Sequence, residues 1–142
     1  MRALLDVNVL LALLDVDHVD HRRAQGWLSG EIQHGWASCA LTQNGFVRIF
    51  SQPRYPNPIS PSEAIERLRE ATTTDSHQFW PCSVSLLEGK HVNSNHVHGP
   101  RQVTDAYLLA LAVEHGGRLV TLDRTIPLSV VPGARSEHLI VI

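Results

Sequence analysis

Five short, largely apolar runs, separated by stretches of helical periodicity or by turn residues, constrain this 142-residue chain more than any other feature. They are residues 2–6, "GWASCAL" (35–41), "HQFWPCS" (77–83), "RLVTLD" (118–123) and "HLIVI" (138–142). An apolar run without alternation suits a strand covered on both faces, the condition of a parallel sheet. Between the runs the period changes. From Asn8 onward Val9, Leu10, Leu13 and Leu14 group at helical spacing. A second helix is expected from about His21 to Ser29, with Ala24, Trp27 and Leu28 on one side and Gly30 near its end. "TQNGFVRIFS" (42–51) reads as helical despite Gly45, because Phe46, Val47, Ile49 and Phe50 need a common apolar side.

The second half continues the alternation. "QPRYPNPISP" (52–61) is a loop with four prolines in ten residues. It leads into a helix for which Ser62 is the expected cap and Ala64, Ile65, Leu68 and Ala71 the buried stripe. "SVSLLEG" (83–89) is expected to begin a short helix, and "KHVNSNHVHGP" (90–100) to be a polar loop. "RQVTDAYLLALAVEHGG" (101–117) is the strongest helix, closed by a glycine pair. No repeat, linker or low-complexity segment divides the chain, so residues 1–142 are read as one domain, α/β with a mainly parallel sheet.

Composition sets outer bounds. A net charge of −2 excludes a uniformly basic nucleic-acid binder and leaves room for a local positive patch. Eleven of the twelve basic residues are Arg, with Lys90 the one lysine, a bias that suits phosphate or carboxylate contacts and equally reflects base composition. Cys39 and Cys82 lack the spacing of a zinc or redox motif. The first residues carry one Arg and then an acid at position 6, unlike a secretory signal, and no apolar stretch approaches the roughly 20 residues of a membrane span. The expectation is a soluble, cytoplasmic protein with no membrane association.

Ligand sites in parallel sheets lie beyond the carboxyl ends of the strands. Asp6 sits where the first strand runs out and is therefore expected at that rim rather than in the core. Asp123 ends the fourth strand, and Asp105 falls in the first turn of the helix before it. Each has a purely structural account: Asp6 as a helix cap, Asp105 as a complement to the helix dipole, Asp123 as a turn residue. Their conjunction points elsewhere. Two carboxylates about 4 Å apart repel by roughly 4 kcal/mol at an effective dielectric near 20, so three need a cation or a raised pKa. An oxygen-only set suits Mg2+ or Mn2+, and metal-assisted phosphodiester hydrolysis is the chemistry such a site performs.

"LLDVNVLLALL", "TQNGFVRI" and "QVTDAYLLALAVEHGGRLVTLD", in this order and at these intervals, resemble the PIN domain and more narrowly the VapC-type toxins of bacterial VapBC modules. The resemblance covers essentially the whole chain. It implies a three-layer α/β/α fold and a Mg2+- or Mn2+-dependent endoribonuclease, the toxin of a type II toxin–antitoxin system. It also implies a VapB-type antitoxin, an RNA substrate and a homodimer. Carried over residue by residue, Asp6, Asp105 and Asp123 match the family's metal-binding acids, Asn8 the polar residue beside the first, and Thr121 a hydroxyl at the site's edge. Gln43 stands where many relatives have a glutamate. A neutral amide removes a negative charge and a proton acceptor while still able to hydrogen-bond a water.

Other readings compete. Asn8 argues against a haloacid-dehalogenase-like phosphatase, which needs a second aspartate there. Lys90 lies in the wrong kind of segment for a receiver domain, and no glycine-rich turn follows the first strand as a nucleotide-binding module requires. The alternative kept open by Gln43 is a catalytically weak or inactive PIN-like module that binds RNA or a protein partner. His91, His96 and His98 fit no standard zinc spacing and are read as a polar loop. Arg48, Arg101 and Arg124 are candidate phosphate contacts, with solvent exposure or pairing to acids as the plain reading. Trp27, Trp36 and Phe46 are read as core, some of them alternatively lining a groove for an antitoxin helix.

Overall fold

The computed structural model describes residues 1–142. Strand β1 (Ala3–Leu5) leads into helices α1 (Val7–Leu14) and α2 (His21–Glu31), then β2 (Trp36–Ser38), α3 (Ala40–Phe50), α4 (Pro61–Ala71) and β3 (His77–Phe79). An irregular stretch precedes α5 (Val103–Glu114), β4 (Arg118–Thr121) and β5 (Leu139–Val141). The strands form one sheet in the order β3-β2-β1-β4-β5, and every pairing is parallel.

Successive strand residues serve opposite cores. Ala3 and Leu5 belong to a core built with α1–α4, whereas Leu4 between them belongs to one built with α5. Trp36 and Ala37 divide in the same way, as do Val120 and Leu119. Because side chains alternate faces along a strand, a sheet covered on both sides needs apolar residues at every position. The three layers are unequal. Four helices cover one face; on the other α5 is joined by irregular chain carrying Trp80, Val84, Val92, Val130 and Val131.

Local chemistry explains where elements begin and stop. Ser60, not Ser62, caps α4: its hydroxyl accepts from the Glu63 amide at 3.1 Å and Pro61 occupies the first helical position. Proline fits there because its missing N–H and fixed φ cost nothing in the first turn. Ile65, placed in the buried stripe by spacing, is exposed, while Ala64 and Leu68 are buried. "SVSLLEG" forms turns rather than a helix. Leu87 is 94% exposed, so a helix there has no apolar face to bury, and isolated short helices are unstable in water. Gly45 has a packing role: a Cβ at that position would stand 2.7 Å from Cγ2 of Val7, so the glycine lets α3 lie against the start of α1.

This topology fixes where a site can form. The connections from β1 to β2 and from β2 to β3 step outward over the four-helix face. The chain then returns over the other face through α5 to place β4 on the opposite side of β1. The strand order therefore reverses between β1 and β4. At such a reversal the connections leave toward opposite faces and open a crevice at the carboxyl ends of the strands.

Candidate active site

Asp6 follows β1 directly and begins α1. Its backbone amide donates to Val120 O at 2.9 Å, continuing the pairing with β4, and its carbonyl accepts from Val9 and Leu10. Its side chain caps the helix, with Oδ1 accepting from the Val7 amide at 2.7 Å. Oδ2 accepts from the Thr121 hydroxyl at 2.7 Å. The carboxylate lies at the expected end of the strand but is only 6% exposed, so it is buried at the rim rather than displayed on it. Burial pushes its pKa above the ordinary carboxylate value. The hydrogen bonds from Thr121 and Val7 oppose that rise, and the charge of Asp123 adds to it.

Thr121 is the centre of the arrangement. Fully buried at the end of β4, it donates to Asp6 and accepts from Asn8 Nδ2 at 3.2 Å and from the Asp123 amide at 3.0 Å. Asn8 Oδ1 accepts from the Leu122 amide at 3.1 Å. Asn8 therefore makes no hydrogen bond to Asp6; it reaches that carboxylate through Thr121 and ties α1 to the end of β4.

The other two acids are held differently. β4 ends at Thr121, so Asp123 lies two residues beyond the strand rather than closing it. Its Oδ1 accepts from the Thr125 amide at 2.8 Å and the Thr125 hydroxyl at 2.7 Å, an Asp-initiated turn. Asp105, third residue of α5, is partly buried and its carboxylate has no hydrogen-bond partner among the protein's groups. Burial, then the charges of Asp6 and Asp123, push its pKa up to about 6. No ion pair in the protein involves any of these three acids. Nor does any group of three or more His, Cys, Asp or Glu form a ready metal cage. The carboxylates share an electrostatic field without converging on one point.

Gln43 is engaged with the neighbouring strand. From the first turn of α3 its Nε2 donates to Ser38 Oγ at 3.0 Å, and that hydroxyl lies 2.8 Å from Nε2 of His77. It hydrogen-bonds none of the acids. The Ser38–His77 pair carries no motif in the sequence, and its one signal is register, which seats His77 beside Trp36 two residues below Ser38. Burial and then the charge of Arg2 hold the His77 pKa below its ordinary value. Arg48 lies with Gln43 along an open groove of about 750 Å³ between α3 and α4. Phe46 is fully buried, which removes it as a groove residue, whereas Trp36 lines an apolar groove with Leu10, Leu14 and Leu28, and Trp27 packs under the Arg118 guanidinium. His91 engages the Ser85 amide and lies 3.7 Å from Glu114.

An all-parallel α/β domain that sets carboxylates without ion-pair partners where its strand order reverses has the form of a nuclease domain. Comparison with known proteins gives the family. Residues 3–129 match the PIN domain. The chain is 64% identical to ribonuclease VapC44 of Mycobacterium tuberculosis, with 98% of each chain covered. It is 42% identical to ribonuclease VapC39 of the same organism, covering 94% of this chain and 96% of that protein. The fold resembles that of VapBC2 from Rickettsia felis, solved bound to a DNA fragment from their promoter. The TM-score is 0.59 at 12% identity, with 92% and 96% of the two chains covered. The chain belongs to the PIN-domain family, among its VapC-type ribonucleases. No helix is long and apolar enough to cross a membrane.

Proposed function

We propose that the chain is an endoribonuclease dependent on Mg2+ or Mn2+, the toxin of a type II toxin–antitoxin pair, restrained by a VapB-type antitoxin and active as a homodimer. The partner follows from the family, whose structural neighbour is a VapBC pair. The observation that carries the chemistry is Asp105. It is a carboxylate with no hydrogen-bonding or cationic partner, raised to about 6 by burial and by Asp6 and Asp123. An unneutralised group of acids is costly to keep unless a cation completes it, and an all-oxygen donor set fits a hard divalent ion. Because the three carboxylates do not converge on one point, Asp6 and Asp105 would hold that ion directly or through water, and Asp123 would be a further ligand or position a water. When bound, it supplies an activated water and offsets charge on the phosphoryl oxygens.

The protein's own groups divide the remaining work. Thr121 and the Val7 amide each engage one oxygen of Asp6 and fix the plane of its carboxylate. Asn8 holds Thr121 in turn, and the turn at Thr125 takes one oxygen of Asp123 while its second makes no protein hydrogen bond. Gln43, committed to Ser38, favours the alternative of a PIN-like module that binds RNA or protein with weak or absent cleavage. Purified chain, free of co-purified antitoxin, should be incubated with total bacterial RNA in Mg2+, in Mn2+ and in EDTA, beside Asp6→Ala and Asp105→Asn. Discrete metal-dependent cuts absent from both variants are expected. Equal inertness of all three proteins in every condition would overturn the nuclease reading, and Gln43→Glu would then show whether the missing acid is responsible.

A further inference from the structure

Five arginine side chains, those of Arg22, Arg48, Arg54, Arg101 and Arg124, make no hydrogen bond, ion pair or ring contact, and all five are exposed. Two of them are neighbours of the acids in sequence. Arg101 lies in a single 3-10 turn, Pro100–Gln102, that runs straight into α5 four residues before Asp105. Gln102 Oε1 closes this turn by accepting from the His98 amide at 2.7 Å. Arg124 stands between Asp123 and Thr125, and the two hydrogen bonds joining those residues leave it at the tip of the turn. None of the three carboxylates has an ion-pair partner. Arg101 and Arg124 pair with none of them, so both guanidiniums are free to meet another anion.

A polyanion approaching three carboxylates is repelled even when one divalent ion lies among them, and fixed cations on either side compensate that repulsion. We propose that Arg101 and Arg124 are phosphate-contacting residues that seat a single RNA strand across the acids, one gripping the backbone on each side of the reacting position. This rests on the ribonuclease reading above and adds to it the residues that bind substrate. The guanidinium fork suits bidentate contact with phosphate oxygens, and such contacts position a strand without reading its sequence. Sequence choice must then come from other surfaces.

The test is a titration of the full chain with a fluorescein-labelled, unstructured single-stranded RNA. It is followed by anisotropy between 50 and 200 mM salt, with Ca2+ in place of Mg2+ and strand integrity checked on a gel. Each phosphate contact to a single strand contributes about 0.7 to the slope of log affinity against log salt. Arg101→Gln and Arg124→Gln should each lower the slope by about that amount and weaken binding roughly three- to tenfold at low salt. Arg101→Lys and Arg124→Lys should keep the slope, and Arg22→Gln should match the wild type. Both positions are exposed and without contacts, so the melting curves of these variants should coincide with that of the parent. Unchanged slope and affinity in both Gln variants, with RNA binding and cleavage intact in the parent, would overturn this proposal and leave the ribonuclease reading standing. A parent that neither binds nor cuts RNA would overturn both.

Discussion

Helix α1 carries a buried aspartate at each end, each with two hydrogen-bond donors, and the two differ in the charges around them. Asp6, 6% exposed, begins the helix; Asp15, 8% exposed, ends it. Asp15 accepts from the Tyr55 hydroxyl at 2.6 Å and from the Asp17 amide at 3.1 Å. The cost falls on its partner: burial, then the hydrogen bond to Asp15 and its charge, push the Tyr55 phenol far above its ordinary range. Asp6 has two donors as well, Thr121 and Val7, yet it shares its surroundings with Asp123 and Asp105. Burial of an acid is therefore common to both ends and distinguishes nothing. What sets the Asp6 end apart is the mutual repulsion of Asp6, Asp105 and Asp123, which no cation of the protein offsets.

The sharpest way to break that contrast is to neutralise each aspartate in turn. Asp6→Asn should remove metal-supported cleavage by roughly 10²- to 10³-fold, since a bound cation supplies several kcal/mol of transition-state stabilisation. Asp15→Asn should leave the cleavage rate within about twofold once folding is complete, an effect too small to count as transition-state loss. Equal losses in both, measured as initial rates on the same RNA, would make the difference between the two ends meaningless. A finer cut removes a supporting group. Thr121→Val keeps the shape but deletes the donor to Asp6 and the acceptor for Asn8. Groups that orient metal ligands are worth about 10- to 100-fold, so cleavage and Mg2+ affinity should both fall by that order.

At the other end the expected loss is of stability. Tyr55→Phe deletes the 2.6 Å bond to Asp15, and hydrogen bonds to charged groups contribute about 1.5–3 kcal/mol. Urea unfolding should shift by about that amount while RNA cleavage at low denaturant stays unchanged. The hydroxyl also anchors the proline-rich loop, because Tyr55 packs on Phe50 and so joins that loop to α3. A Tyr55→Phe protein with parental stability but impaired cleavage would invert the roles assigned to the two ends.

How much of this was legible in the sequence depends on the range of the interaction. The strands were legible because a two-sided sheet imposes apolarity at successive positions, as in Ala3, Leu4 and Leu5. Spacing points to Ser62 rather than Ser60 because the cap depends on where Pro61 starts the helix, a one-residue matter that periodicity does not resolve. The helix expected in "SVSLLEG" failed because local pattern does not say whether a face finds a partner, and Leu87 finds none. At the site, the positions of Asp6, Asp105 and Asp123 follow from strand ends and topology. The Thr121 relay between Asn8 and Asp6 spans more than a hundred residues and emerges only when β1 and β4 lie side by side. The same holds for Gln43, Ser38 and His77: the amide that stands where relatives have a glutamate is claimed by a hydroxyl on the strand before its helix.

The smallest expected effect tests the charge excess without any RNA. Asp105 titrates at about 6 in the folded protein against an ordinary value of 3.8. Between those values the folded state keeps a proton that the unfolded state has lost, so stability falls as pH rises from about 4 to about 6 and stays lower above that range. Asp105 is partly exposed and solvent screens the repulsion, which brings the penalty to the order of 1 kcal/mol. Asp105→Asn should therefore flatten the pH dependence of the metal-free protein in that window and raise its melting temperature at pH 7 by about 3 °C. Mg2+ should do the same for the parent at pH 7, by neutralising rather than removing the charge, and should do less at pH 5, where the proton competes for Asp105. A metal-free parent whose stability is level across this window, or an Asp105→Asn protein that melts lower than the parent at pH 7, would show that Asp105 carries no charge penalty. The contrast between the two ends of α1 would then rest on Asp6 and Asp123 alone.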